Sequence, residues 1–317
     1  MAVPANTATT FTTEALREDL APILSIISPT DTPFCTMARR GKAKAVTHEW
    51  ITDELKAANG DNKRLQGDDS TREAATTGRR LTNETQIMAK EPSVSGTMEA
   101  VDSVGGHNKL AYQRMLRIKE LKRDMEARAT SASPKVKAAP NVEGELAGFE
   151  TWVTNSSRGT GGADPAGDGS DAPTAGTNRP FTEALLKEVS EKVWQEGGNP
   201  QLLMVNGRQK QAVSGFAGIA TTTTNVTATR ENTNVHILGA ADVYQGDFHT
   251  LKVVPNRFMS PNSAHLVEQD KWRMAYLRPV KNKPLAKTGD SDVELINAEF
   301  TLVSVHPEAN GIVADLQ

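Results

Sequence analysis

Only one cysteine, Cys35, occurs in 317 residues. That excludes an internal disulfide framework and any zinc site built on several thiolates, and it fits a chain made in a reducing compartment. Long apolar runs are missing as well. No segment approaches the ~20 consecutive apolar residues of a membrane span, and the start MAVPANTATTFTTEALREDL lacks the basic opening and apolar run of a signal peptide. The triplets at Asn83, Asn155 and Asn225 that match the glycosylation pattern are therefore accidental in a chain expected to stay inside the cell that makes it. Nor is there a surplus of one charge: 36 basic against 39 acidic side chains give a formal net charge of −3. The whole molecule is thus no electrostatic nucleic-acid binder, and any DNA contact is expected to be local or weak.

Catalytic patterns are also lacking. The Gly-rich segment 159–169 has no Gly-Lys-Ser/Thr ending and does not sit between a strand and a helix, so it is no phosphate loop. The histidines at 48, 107, 236, 249, 265 and 306 are scattered, without the His-Glu-x-x-His spacing of a helical zinc site. Glu49 with Asp53 and Glu54, and Asp68 with Asp69, offer oxygen ligands but match no calcium loop. They are interleaved with Lys56, Lys63, Arg64 and Arg72, the pattern of a solvated or intersubunit charged face. Cys35 has no adjacent histidine or basic residue and is expected to act as a small hydrophobe. No cofactor and no metal are expected; a hydrolase acting through Glu49 or Asp53 is the alternative from another functional class.

What is present is organised around one stretch, 108–129, without Gly or Pro and with a helical period. Leu110, Ile118, Leu121, Met125 and Ala129 share a face, widened by Tyr112 and Leu116. At ~1.5 Å per residue the helix spans roughly 30 Å. Its bases are spaced to pair with its acids, Lys122 with Glu126 for example, which favours a structural helix over a DNA-reading one.

Before it, residues 1–13 read as a flexible or partner-bound arm, 14–20 as a short helix ended by Pro22, and 23–43, with Pro29 and Pro33, as an extended anchored arm. Alternation predicts strands over 46–54 and 81–97 that pair with each other. The polar loop between them cannot build a core, so it is expected to be disordered or to lie on another molecule. After the helix, 156–180 is Gly-rich surface loop. Thr182 is set to cap a helix whose stripe is Leu185, Leu186, Val189, Val193 and Trp194, stopped by Gly197-Gly198. A buried strand at 202–206, a short helix at 207–216, an exposed ribbon at 221–234 and a mainly β C-terminal third follow, with strands near 235–245, 249–255, 264–269, 273–279, 294–307 and 311–316. The class is α+β, with two lobes interleaved in sequence. So much extended, mixed-charge chain with so little chemistry suits a protein that associates with copies of itself.

Several segments carry a resemblance. They are Ser28-Pro29-Thr30-Asp31-Thr32-Pro33-Phe34, Ala111-Tyr112-Gln113-Arg114, Leu121-Lys122-Arg123-Asp124, Gly197-Gly198-Asn199-Pro200, and above all Leu251 to Met259, Ala275 to Pro279 and Leu285 to Asp290. In this order the chain resembles, over nearly its whole length, the major capsid proteins of tailed double-stranded DNA bacteriophages. Their Hong Kong 97-type fold is shared by encapsulins, whose nanocompartment shell is the alternative reading. The resemblance implies an N-terminal arm over 1–45, an E-loop hairpin over 46–97, a peripheral domain with a spine helix over 98–144, an axial domain over 145–260 and peripheral strands over 261–317.

Through the resemblance, Lys56, Asp61, Lys63, Arg64, Asp68, Asp69 and Arg72 become intersubunit candidates in the E-loop. Arg114, Lys119, Lys122 and Arg123 become the basic residues of the spine helix, and Thr223, Asn225 and Arg230 candidates in an axial loop. The implied partners are further copies, as hexamers and pentamers of an icosahedral shell, with scaffolding, portal and decoration proteins; the shell encloses double-stranded DNA without sequence-specific binding and involves no membrane. The implied place is the virion capsid, assembled in the bacterial host cytoplasm. Because only a short arm precedes the recognisable region, scaffolding is expected from a separate protein or not at all. Lys56 and Lys63 lie where some members of the family crosslink to a neighbouring Asn, but no motif makes either reactive, and ordinary salt bridging is expected.

Overall fold

A computed structural model of the chain describes residues 31–53, 55, 58–64, 66–67, 75, 78–101, 109–216, 242–287 and 289–317. The expectations for the arm 1–30, for the ribbon 221–234 and for 235–241 lie outside the described residues, as does most of the second half of the polar loop.

The longest strands are β11 (Trp272–Pro284) and β12 (Ser291–Ser304), an antiparallel pair at the centre of a five-stranded sheet. Along β12 the apolar residues Ile296, Ala298, Phe300 and Leu302 recur with period two and are all buried, so one face of the strand forms core. Against that face lies the predicted long helix, α3 (Leu110–Ala129), through Leu121, Met125 and Ala129. β4 (Gln86–Lys90) and β5 (Ser93–Ser95) pair with β12 on its other edge, and β1 (Arg39–Lys42) runs parallel beside β11. Pro279 is tolerated in β11 because β1 pairs only with residues 273–276, so that among the described residues the rest of that edge has no ladder to interrupt.

The second sheet has six strands in the order β6 (Ser156–Ser157), β13 (Gly311–Val313), β10 (Ala264–Val267), β7 (Leu202–Val205), β9 (Thr250–Pro255) and β8 (Val243–Gln245). β7 and β9 are parallel and need a crossover, which includes the predicted short helix α5 (Gly207–Ser214). Helix α4 (Glu183–Gln195) buries Leu186, Val189 and Val193 against Leu203, Val205, Leu266 and Val313. Trp194, expected in that stripe, is instead 54% exposed and stacks on Phe248 at 5.1 Å. Its position falls one step past the buried arc, which Val193 already closes. Gly197, at φ +75°, ends α4 in the left-handed conformation that glycine adopts freely. The last strands do not form one group: β10 and β13 pair with β7 and β6, while β11 and β12 pair around α3, so the stretch 261–317 divides between the two sheets.

β2 (Thr47–Thr52) and β3 (Arg79–Glu84) form an antiparallel hairpin outside both sheets. The return strand expected over 81–97 is therefore corrected. Pairing with β2 stops at Glu84, and the chain then joins β12 as β4 and β5. Ser95 Oγ caps the short helix α2 (Gly96–Ala100) by accepting from Met98 N at 3.3 Å. The extended arm expected around Pro33 contains a helical turn, α1 (Pro33–Met37); a proline at the first helical position loses no hydrogen bond, so it opens this turn instead of excluding it.

Candidate functional site

The hairpin is firmly rooted. Trp50 donates from Nε1 to the Ser304 carbonyl at 2.7 Å, and its ring lies 5.4 Å from that of Trp152. Leu81 is buried. Asn83, fully buried, donates to the Leu302 carbonyl at 2.7 Å and accepts from Ala147 N at 2.9 Å, so it stitches β3 to β12 and to the segment after α3. Beyond the root the environment reverses. Ile51 is 74% and Leu55 100% exposed, and every described residue from 58 to 67 is exposed. Asp61 and Lys63 form an ion pair at 3.4 Å in nearly full solvent, which contributes little. Arg64 is exposed. Lys56, Asp68, Asp69 and Arg72 lie outside the described residues, as do Thr223, Asn225 and Arg230.

On α3 the four expected cations have different fates. Arg114 grips Glu294 of β12 with two nitrogens, Nε at 2.5 Å, and this bond holds the Glu294 carboxyl below its usual range. Arg123 lies over the Phe258 ring at 5.2 Å. Lys119 is half-buried and Lys122 exposed. Two of the four thus fasten the helix to its own subunit.

The expected pairing of Lys122 with Glu126 does not occur. Glu126 points inward and is completely buried. Its Oε1 accepts from Phe34 N and Asn256 Nδ2, and its Oε2 from Cys35 N, all at 2.7 Å. One carboxylate therefore receives the free N–H groups that open α1 and also holds the loop after β9. Burial pushes its pKa up and outweighs these hydrogen bonds, which act to lower it. The same burial, with Glu126 beside it, raises the Cys35 thiol well above its ordinary value, consistent with an unreactive residue. No local spacing announces this role; the one available signal is an acid adjoining the apolar arc of α3.

Asn310 makes a second junction of this kind. Buried, it accepts at Oδ1 from Trp272 Nε1 and Glu268 N, both at 2.9 Å.

One cluster has the composition of a nucleophilic site without its geometry. Ser263, His265 and Glu150 are all buried. Both Ser263 Oγ, at 3.3 Å, and Glu150 Oε1, at 3.0 Å, sit on the same ring nitrogen, Nε2, while Nδ1 has no hydrogen-bond partner among the described residues. A working triad needs the acid on one ring nitrogen and the nucleophile on the other, with the nucleophile open to substrate. Burial acts to raise the Glu150 pKa, but the bond and charge of His265, the Ser263 bond and Arg158 together hold it low. This cluster fastens β10 to the turn at Phe149, whose ring stacks on His265 at 4.4 Å. Glu49 is ion-paired with Arg80 on the hairpin. Among the described residues no three His, Cys, Asp or Glu side chains gather as a metal site, and no helix is long and apolar enough to cross a membrane.

The SU10 major capsid protein family matches residues 3–317. The major capsid protein of Escherichia phage Phieco32 is 24% identical over 327 residues, covering 92% of this chain and 91% of that one. The capsid asymmetric unit of cyanophage A-1(L) superposes with a TM-score of 0.68 at 14% identity, covering 98% and 99% of the two chains. A holo-SrpI encapsulin complex from Synechococcus elongatus PCC 7942 shares the fold more loosely, with a TM-score of 0.53 at 11% identity and coverage of 96% and 93%. A match across almost every residue settles the assignment: the chain belongs to the SU10 major capsid protein family, and it is a phage major capsid protein of the Hong Kong 97-type fold.

Proposed function

We propose that this virion capsid protein assembles through hexamers and pentamers into an icosahedral shell around packaged double-stranded DNA, in the cytoplasm of the bacterial host. The observation that carries the reading is the β2–β3 hairpin, rooted by Trp50, Leu81 and Asn83 yet exposing Ile51 and Leu55 beyond its root. Apolar side chains left in water on an extended element suit a surface that is covered once a neighbour is in place. The hairpin then serves as the E-loop, α3 as the spine, the five-stranded sheet as the peripheral domain and the six-stranded sheet as the axial domain. On this assignment β10 and β13 move from the peripheral to the axial domain. Asp61, Lys63 and Arg64, together with Lys56, Asp68, Asp69 and Arg72, set the register against the neighbour, as complementary charges do. Many modest contacts of this kind, repeated around the shell, give collective strength. Scaffolding, portal and decoration proteins are further partners. An encapsulin-type shell is the weaker alternative, because the family matched over the chain is a capsid family.

Negative-stain electron microscopy of the expressed protein tests the reading. Closed shells or tubes of uniform diameter are expected, and a persistent monomer would overturn it. Deleting residues 57–78 should leave a soluble subunit that forms no stable shells; shells of unchanged stability would remove the hairpin from its proposed role.

A further inference from the structure

We propose that the basic groove between β1 and α3 docks an extended, acidic and apolar segment of a second protein. The groove encloses about 850 Å3. Arg40 and Lys42 from β1 and Lys122 from α3 line it, together with Met125, Leu277 and Val280. Elsewhere on these two elements cations have acidic partners: Arg39 pairs with Asp270, Arg114 with Glu294 and Arg117 with Glu120. The three groove cations form no ion pair among the described residues, and no carboxylate is among the described residues that line the groove. The acids nearest to Lys122 on α3 are engaged elsewhere, Glu120 with Arg117, Asp124 with Lys90, and Glu126 with the Phe34 and Cys35 N–H groups and Asn256. A cleft lined by one sign of charge attracts a ligand of the other sign.

The backbone beside the groove adds a second requirement. β1 is the outer strand of its sheet, and its pairing with β11 ends at Lys42 opposite Tyr276. Among the described residues, the free side of β1 and the stretch of β11 beyond Tyr276 therefore have no ladder, which an extended chain can supply by strand addition. Duplex DNA would match the three cations but would set phosphate against Met125, Leu277 and Val280. A strand that alternates acidic and apolar residues satisfies both, because side chains of one parity cover the apolar wall while those of the other reach the cations. Docking of this kind is a property of one unassembled subunit and does not depend on the shell.

The probe is a dansyl-labelled, C-terminally amidated hexapeptide that alternates glutamate with valine, spanning about 20 Å when extended. Its fluorescence anisotropy is followed as the full-length unassembled subunit is added. Saturable binding is expected, weakened roughly tenfold in K42E/K122E, the size expected when two exposed ion pairs become like-charge contacts. The same variant should gain affinity for a lysine-valine hexapeptide, which the native chain should not bind; that exchange also shows the variant to be folded. A glutamate-serine hexapeptide should bind the native chain about tenfold more weakly, because it leaves the apolar wall uncovered. Absence of saturable binding to the native chain would overturn the proposal. So would equal affinity for the glutamate-serine peptide, unchanged affinity in K42E/K122E, or a variant that loses the first peptide without gaining the lysine-valine one. Displacement of the peptide by a lower concentration of duplex DNA would assign the groove to nucleic acid instead. Self-association of the native subunit that K42E/K122E abolishes, read by sedimentation velocity without peptide, would assign it to a second copy; either result overturns the proposal.

Discussion

At its root the β2–β3 hairpin is held in the core by Trp50, Leu81 and Asn83, whereas beyond the root Leu55 is fully exposed and Asp61 pairs with Lys63 in nearly full solvent. The same two-stranded element thus serves two environments within a few residues. At the root the buried Asn83 side chain finds partners distant in sequence, Leu302 and Ala147, whereas the described ion pair beyond it, Asp61 with Lys63, is local. In a subunit that must be stable alone and adhesive in company, this separates folding from association: mutations at the root should unfold the subunit, and mutations beyond it should leave the fold intact and alter assembly.

The largest effect is expected at the root. Trp50→Ala removes an indole that packs on Trp152 and the hydrogen bond to Ser304, and should cost about 3 kcal/mol. Urea denaturation of the unassembled subunit measures this as a lower midpoint at similar slope. If the midpoint shifts no further than for a substitution beyond the root, the contrast between the two ends fails.

Next comes Glu126→Gln. The amide oxygen can keep two of the three donors, but its N–H2 then faces the third, so one buried donor is left unpaired; the expected cost is about 2 kcal/mol. The pH dependence has a definite sign. Because burial raises the folded-state pKa of Glu126, the folded chain holds its proton more tightly than the unfolded one. This contribution to stability is fully present below the ordinary carboxylate range and is lost as pH rises through the raised value. The advantage of the native chain over E126Q should therefore shrink from acid toward neutral pH in denaturation midpoints; an advantage that grows would contradict the burial of the carboxylate.

A smaller effect is expected for Arg114→Ala, which frees the N-terminal half of α3 from β12. Arg114 is over a third exposed, so solvent screens the pair, and about 1 kcal/mol is expected. Glu294, whose pKa that bond depresses, adds an acid-side term: the stability it contributes is present above the ordinary carboxylate range and is lost as pH falls through its lowered value. Both should be absent in the variant when midpoints are compared from pH about 6 downward.

These effects show where sequence reasoning succeeds. α3 and the C-terminal strands were legible because their period is local and strong, and the hairpin was legible as far as β2 and the first half of its partner. The switch at Thr85 was not legible, because alternation continues through 86–90 while the hydrogen-bonding partner changes from β2 to β12. Glu126 was hidden for a related reason. Helical spacing offers Lys122 as its partner, but its true partners are 91, 92 and 130 residues away. The division of 261–317 between sheets is likewise a matter of pairing that no local pattern encodes. The mixed charge of Asp61, Lys63 and Arg64, by contrast, announced a solvent-facing segment directly, since charges without distant partners remain in water.

Leu55→Ser should have the smallest effect on the subunit and so sharpens the comparison most. Leu55 is fully exposed and makes no core contact, so its removal takes no apolar surface out of a packed environment, and the urea midpoint should not move measurably. If the residue is covered by a neighbour on assembly, the same change removes the burial of a leucine at every copy of that contact. The loss is multiplied across the shell even though each instance is modest. The variant should therefore be normal as a subunit and yet require a higher protein concentration to form shells, as read by light scattering against time. Equal assembly curves for variant and native chain would show that this part of the hairpin stays in solvent in the assembled state.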